Sequence, residues 1–272
     1  MDREFHAQSV SIRAMSAAFR ANGFVLLRGA VPAHKVQRYR EALDAIYRQY
    51  DVSPGDFAAF PAAQVEAIRQ GDVSPSIFAA LAGFTLEEYF RGRTLRALVK
   101  AEIKRAVPDL STFMTVSPKP DFAIGGLALH TDGIIQGTAA SVIALWSPLH
   151  ACGVDAPGLA VLPASKERVI DYLRRKFPDK TIPGWCSTTE WNDTGAFDAM
   201  TLRDEFGDPW TPAMQPGDVM IFSNWTIHGS YVTPAMTKRR SAAIMRWTTD
   251  PRAPRPLWRR LSRKVISQVR RH

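Results

Sequence analysis

Apolar and polar residues alternate along this chain in two regimes. The stretch "FVLLRGAV" (24–31) is bulky, β-branched and short, which predicts a strand. Pro32 follows, a residue suited to the first turn of a helix. Val36, Tyr39, Leu43, Ile46, Tyr47 and Tyr50 then fall on one face at helical spacing. Residues 51–107 read as helical and irregular, with starts near "SPGD" and "SPSI". After Pro108 the period changes. "TFMTVS", "GGLALHTD", "ASVIALW", "GLAVLP", "DVMIF", "TIHGSYV" and "RSAAIMRW" read as strands punctuated by Gly, Pro and Asp. Between them "KERVIDYLRRKF" (166–177) is the clearest helix. This order predicts a mainly β fold with flanking helices packed on an antiparallel sandwich or barrel, and excludes a βαβ repeat. Residues 178–217 hold Trp185, Trp191 and Trp210 without periodicity, so 178–215 and parts of 51–93 are expected to form a lid over a binding site.

Composition narrows the class. With 272 residues, 46% of them apolar, the chain can bury one large core, so residues 1–250 are expected to form a single domain. No apolar run approaches the ~20 residues that cross a bilayer, and "MDREFHAQ" lacks a signal-peptide core. Cys152 and Cys186 make no C-x-x-C pair and no disulfide framework, so a reducing cytoplasm is the expected compartment. The net charge of +9 is local: eight of the 35 basic residues and none of the 26 acidic ones lie in 251–272. A nearly neutral body with a basic tail, expected to be helical, gives no reason to expect a nucleic-acid partner.

The chemistry concentrates in "LALHTDGIIQG" (127–137). If the strand continues, His130 and Asp132 share a face. Alone, H-x-D is a weak signal, and the commoner reading is a strand-end histidine bonded to a nearby acid. A second histidine, His228, follows the strand "DVMIF" in "FSNWTIHGS". Two histidines and one carboxylate are the ligand set of non-haem Fe(II) oxygenases, with three coordination positions left open. Arg239 lies eleven residues beyond His228, and a guanidinium holds a carboxylate by two parallel hydrogen bonds. On a strand it would share a face with Ser241, Ala243 and Met245, whose small members leave room for a short dicarboxylate. Its bland alternative is a surface charge in "TKRRS".

In this order the motifs resemble the phytanoyl-CoA dioxygenase-like family of Fe(II)/2-oxoglutarate-dependent oxygenases. The resemblance runs over about residues 15–250: "NGFVLLRGAVPAHKVQRYREALD" at the start, "HTD", Trp146 followed seventeen residues later by Pro163, "QPGDVMIF", "HGS", and Arg239. The chain departs from the family in "DAPGL" and in "PASK" (163–166), and carries Thr131 where Gln is frequent. The resemblance implies a double-stranded β-helix (jelly roll, cupin-like). It implies Fe(II) on His130, Asp132 and His228, with 2-oxoglutarate and O2 as co-substrates. Arg239 would clamp the distal carboxylate of 2-oxoglutarate, with Ser230, Thr131 and Trp146 beside it. The implied reaction is oxidation, most simply hydroxylation, of an unactivated C–H of a small molecule, with release of succinate and CO2. Halogenating relatives lack the acid, and Asp132 is present. Two readings stay open beside this one: a cupin-like metal enzyme that does not use 2-oxoglutarate, and a non-catalytic binding module on the same fold. His6, His34, His150 and His272 have no partner pattern and read as surface or local-structure residues, and Asp218 as the anchor of its turn.

The tail carries its own expectation. Trp258, Leu261, Val265 and Val269 line one helical face of "LWRRLSRKVISQVRRH", which can pack on the domain or lie weakly on an anionic membrane surface. Membrane attachment predicts sedimentation with anionic vesicles at low salt, release at high salt, and loss of both on deleting 255–272, because exposed charges are screened over ~8 Å at physiological ionic strength. A full-length chain that ignores such vesicles at low salt assigns the tail to packing.

Overall fold

The computed structural model describes residues 2–49, 82–116, 129–136, 140–185, 196–238 and 240–249. The expectations placed on Trp191, Cys186, Arg239, the tail and most of 51–93 lie outside these residues.

Helix α1 (Ile12–Asn22) starts at Ser11, whose side chain accepts the Ala14 N–H, and ends at Gly23 in the left-handed conformation. That turn delivers strand β2 (Phe24–Arg28), which is buried on both faces. The short strand β1 (Glu4–His6) runs parallel to it. Helix α2 (Ala33–Gln49) follows, then α3 (Leu86–Tyr89), α4 (Arg93–Glu102) and strand β3 (Val107–Val116). A one-turn helix α5 (Asp132–Gln136) precedes β4 (Val142–Pro148) and β5 (Gly158–Val161). Helix α6 (Lys166–Lys176) is capped by Ser165, with Glu167 in its first turn and Arg174, Arg175 and Lys176 in its last, matching the helix dipole. Helix α7 (Ala199–Phe206), β6 (Val219–Ser223), β7 (His228–Tyr231) and β8 (Ala242–Thr248) complete the described chain. No helix among the described residues is long and apolar enough to cross a membrane.

Six strands form one sheet in the order β1-β2-β6-β4-β8-β3. One face, with Val25, Leu27, Val219, Ile221, Ala243 and Met245, packs on the helices through Tyr39, Leu43, Tyr89 and Leu98. Alternate residues on the other face, among them Phe24, Trp146, Phe222, Ala242 and Ile244, pack on Leu159 and Val161 of the second sheet. That sheet is small, β5 with β7, but three isolated bridges extend it. His130 pairs with His228, His228 with Val161, and Val161 with Trp210, so four chain segments lie in one row. This is the expected jelly roll: two facing sheets, open at the edges, with helices behind the larger one.

Within the aperiodic stretch 178–217, residues 196–215 carry packed structure. Asp198 caps α7 through the N–H groups of Met200 and Thr201, and Phe197, Leu202 and Phe206 are buried against α6. Trp210 stacks on Phe24 at 5.6 Å. Asp218 anchors its turn as expected, binding Arg28 Nη1 at 2.7 Å and accepting the N–H groups of Gly29 and Gln215. Gly217, at φ 95°, sits where a Cβ would lie 2.6 Å from the Val31 carbonyl.

His150 ends β4's exit turn, and its Nδ1 accepts the Ser241 N–H at 3.2 Å. Burial, aided by the Arg40 charge, pushes its pKa down to about 4. The unfolded chain takes up this proton near pH 6.5. Between these values the unfolded state binds more protons, so His150's contribution is full above pH 6.5 and is lost as pH falls toward 4. Urea midpoints of the wild type should therefore drop more steeply from pH 7 to pH 4.5 than those of His150→Gln, which keeps an acceptor and cannot titrate. Parallel pH profiles would contradict this.

Candidate metal centre

His130 and His228 face each other because their backbones are bolted together. Each N–H donates to the other's carbonyl at 2.9 Å, and the two ring centroids lie 4.4 Å apart. His228 opens β7 directly after a tight turn from β6. Within that turn Thr226 Oγ1 donates to the Gly23 carbonyl at 2.7 Å, and the Ser223 N–H bonds back to Gly23 and to Thr226 Oγ1. The end of α1 thus sets the height at which His228 emerges.

Asp132 arrives differently from the sequence expectation. The strand pairing stops at His130, and Asp132 is the first residue of α5. The chain turns there because the Gly133 N–H donates to the Asn224 carbonyl at 2.6 Å. Gly133 also lies flat on Trp225, where a Cβ would come within 2.9 Å of the indole ring. Asn224 reaches Val142 and Ala140 through its side chain, joining the start of α5 to the start of β4. The carboxylate therefore meets the imidazole across a turn rather than along a strand face, with Asp132 Oδ1 3.8 Å from His130 Nε2.

His130, Asp132 and His228 are all buried, and each offers a donor atom within 4.8 Å of the others. Two imidazoles and one carboxylate, deprived of water, fit a divalent first-row metal. His228 Nδ1 lies 2.9 Å from the Thr226 carbonyl, so Nδ1 carries the proton and Nε2 is left as the donor. Burial pushes the His228 pKa down, against the pull of Asp132 and the Thr226 carbonyl, which keeps the ring neutral. For Asp132, burial pushes the pKa up, but Arg246 and then the two histidines outweigh it and hold the carboxyl below its usual value. The site presents a ready carboxylate and a neutral His228 imidazole.

Two arginines are buried nearby. Arg246 of β8 places Nε 3.0 Å and Nη2 2.9 Å from Asp132 Oδ2. Arg240, only 2% exposed, lies over the Trp146 ring at 4.7 Å. Its Nε donates to the Pro157 carbonyl at 2.7 Å and its Nη2 to the Gly158 carbonyl at 3.3 Å, while Nη1 is buried with no partner. Burial pulls its pKa down to about 10, so it is charged at neutral pH.

Two of the residues expected beside Arg239 point to the helical layer: Ala243 and Met245 pack there, away from the metal ligands. Ala242 and Ile244, with Arg246, belong to the face that looks into the jelly roll. Arg239 itself lies outside the described residues. Of the other expected residues, Trp146 is buried beneath Arg240, and Ser230 is half-buried on β7 two residues after His228. Thr131 is buried with an unpartnered hydroxyl. Arg246 was missed by sequence reasoning, although a charge two residues after Ile244 in an apolar strand signals a buried partner.

The sequence model of one family, described as Phytanoyl-CoA dioxygenase (PhyH), matches residues 19–240. No curated protein sequence matches the chain. Among solved structures, AviO1 from Streptomyces viridochromogenes Tue57 is similar with a TM-score of 0.55 at 16% identity, covering 90% of this chain and 98% of its own. EvdMO1 is similar with a TM-score of 0.55 at 20% identity, covering 88% of this chain, which spans 50% of EvdMO1. SnoK, a non-heme alpha-ketoglutarate-dependent carbocyclase from nogalamycin biosynthesis, is similar with a TM-score of 0.52 at 12% identity, covering 89% of this chain and 85% of its own. At these identities the three share the fold.

Gly133 gives a direct test of how the carboxylate is placed. Gly133→Ala must displace Trp225, and overpacking of this kind costs about 1–3 kcal/mol. The variant should unfold at lower denaturant and bind divalent metal more weakly, because the first turn of α5 moves with Asp132. Unchanged stability together with unchanged metal affinity would refute the packing argument.

Proposed function

The chain belongs to the phytanoyl-CoA dioxygenase family of non-haem iron, 2-oxoglutarate-dependent oxygenases, and on that premise we propose that it hydroxylates an unactivated C–H of a small molecule, releasing succinate and CO2. The observation that carries this reading is the buried three-ligand cluster, with an incompletely bonded buried cation, Arg240, packed over Trp146 between the two sheets. His130, Asp132 through Oδ1 and His228 through Nε2 would hold Fe(II). The bound iron supplies O2 activation, with 2-oxoglutarate as the two-electron reductant.

The protein's own part is orientation and dryness. Arg240 is our candidate for the partner of the distal carboxylate of 2-oxoglutarate, in preference to Arg239. Three features support it: it is buried among residues of the inward face, it is fixed by two carbonyls and the Trp146 ring, and it keeps one N–H group without a partner. Desolvated and paired only with neutral groups, this cation is unsatisfied until an anion reaches it. Ser230 and the unpartnered Thr131 hydroxyl are further candidates to donate to the co-substrate.

The test is a small-molecule screen scored by succinate release and then by mass spectrometry for a product heavier by one oxygen. In a hit reaction, His130→Ala, Asp132→Ala and His228→Ala should each abolish Fe(II)-dependent turnover. Full activity in any of them removes the triad. Arg240→Ala should raise the 2-oxoglutarate requirement about 30-fold or more, since truncating one partner of a buried charge pair costs on the order of 2–5 kcal/mol. Arg239→Ala should do much less, and the reverse order would return the clamp to Arg239.

A further inference from the structure

The contact between Arg246 and Asp132 is one-sided. Both Nε and Nη2 converge on Oδ2, at 3.0 and 2.9 Å. The other oxygen, Oδ1, is the one that lies 3.8 Å from His130 Nε2. Two N–H groups of a planar guanidinium on a single oxygen hold that oxygen in place and leave the other one to a different partner. The arginine is itself rigidly seated. It lies within the six-stranded sheet, in register with Ala144 of β4 on one side and Asp109 of β3 on the other. The pair thus spans from β8, the penultimate strand of the large sheet, to the first residue of α5.

We infer that Arg246 is a positioning residue that keeps Asp132 a one-oxygen ligand, so that a bound metal retains three positions for co-substrate and oxygen. This rests on the metal-centre reading proposed above. A carboxylate can bind a metal through one oxygen or through both. With Oδ2 held by Arg246, only Oδ1 is offered, and three side chains give three donor atoms. Released from Arg246, Asp132 can turn Oδ2 onto the metal and fill a position that the reaction needs.

Mn(II) alone, without co-substrate, is the probe, read by the paramagnetic resonance of free and bound ion and by broadening from labelled water. The wild type should bind Mn(II) with three exchangeable waters, the open positions of an octahedral ion on this ligand set. Arg246→Lys keeps the charge but cannot place two N–H groups on one oxygen, so Mn(II) affinity should fall about 10–100-fold, as it does when ligand-orienting partners are lost. Arg246→Gln should show one exchangeable water fewer. Thermal unfolding of the metal-free variants separates folding from binding, and if the Gln variant does not fold, the Lys variant decides. Wild-type affinity and water count in the folded variants would overturn the role of Arg246. A wild type that fails to bind Mn(II), or a His228→Ala variant that binds it equally well, would overturn the metal centre itself.

Discussion

A pair of backbone hydrogen bonds between His130 and His228, each 2.9 Å, carries the geometry of the whole site. Side chains alternate faces along a strand, so a slip of one residue would turn each histidine away and bring Thr131 or Ile227 into its place. The bridge is isolated, and its register is secured from outside. His228 is locked on its other side to Val161 of β5, and Val161 in turn to Trp210. Behind it, Thr226 is tied to the end of α1. The helical half of the molecule therefore enters the metal centre through one carbonyl, that of Gly23, rather than through any side chain near the ligands.

Charge is distributed unevenly around that bridge. Asp132 is answered by Arg246 and then by the two buried histidines, so its ionised form survives burial. Arg240 is answered only by two carbonyls and an aromatic face. In a low-dielectric interior a cation bonded in this way still attracts an anion strongly. The two arginines consequently do different things with the same chemistry: one completes an ion pair and holds it still, while the other is left short of an anionic partner. A dicarboxylate reaching from a metal at the triad to Arg240 would offset most of the positive charge that the metal and Arg240 bring together.

How much of this was legible depended on whether a feature obeyed a local period. The strands from 142 to 248 were readable because β4, β6 and β8 are apolar runs bounded by turn residues. His130, Asp132 and His228 were identifiable because ligand chemistry demands those residue types. The route by which Asp132 reaches the site was not, because the turn at Gly133 is made by a long-range bond to Asn224 and by contact with Trp225. The expectation for Arg239 came from a residue count from His228, and a count could not reveal that Arg240 is buried over the Trp146 ring with two carbonyl partners from 157–158. Helix α7 escaped notice because only Leu202 and Phe206 mark its apolar side. Strand β1 is three residues long and is defined by its partner.

Preorganisation follows from the same contacts. A triad of buried ligands without Arg246 would bring a desolvated carboxylate next to two imidazoles whose protonation it would favour. Metal would then compete with protons for the nitrogen atoms. With Arg246 in place, the carboxylate is paired with a guanidinium, and burial keeps the His228 ring neutral against Asp132's pull. The cation beside Asp132 reduces the electrostatic attraction for a dication, so part of the affinity is given up. What is gained is a site whose Asp132 carboxylate and His228 nitrogen are ready and oriented before the metal arrives, on backbone that hydrogen bonds from three separate segments hold in place.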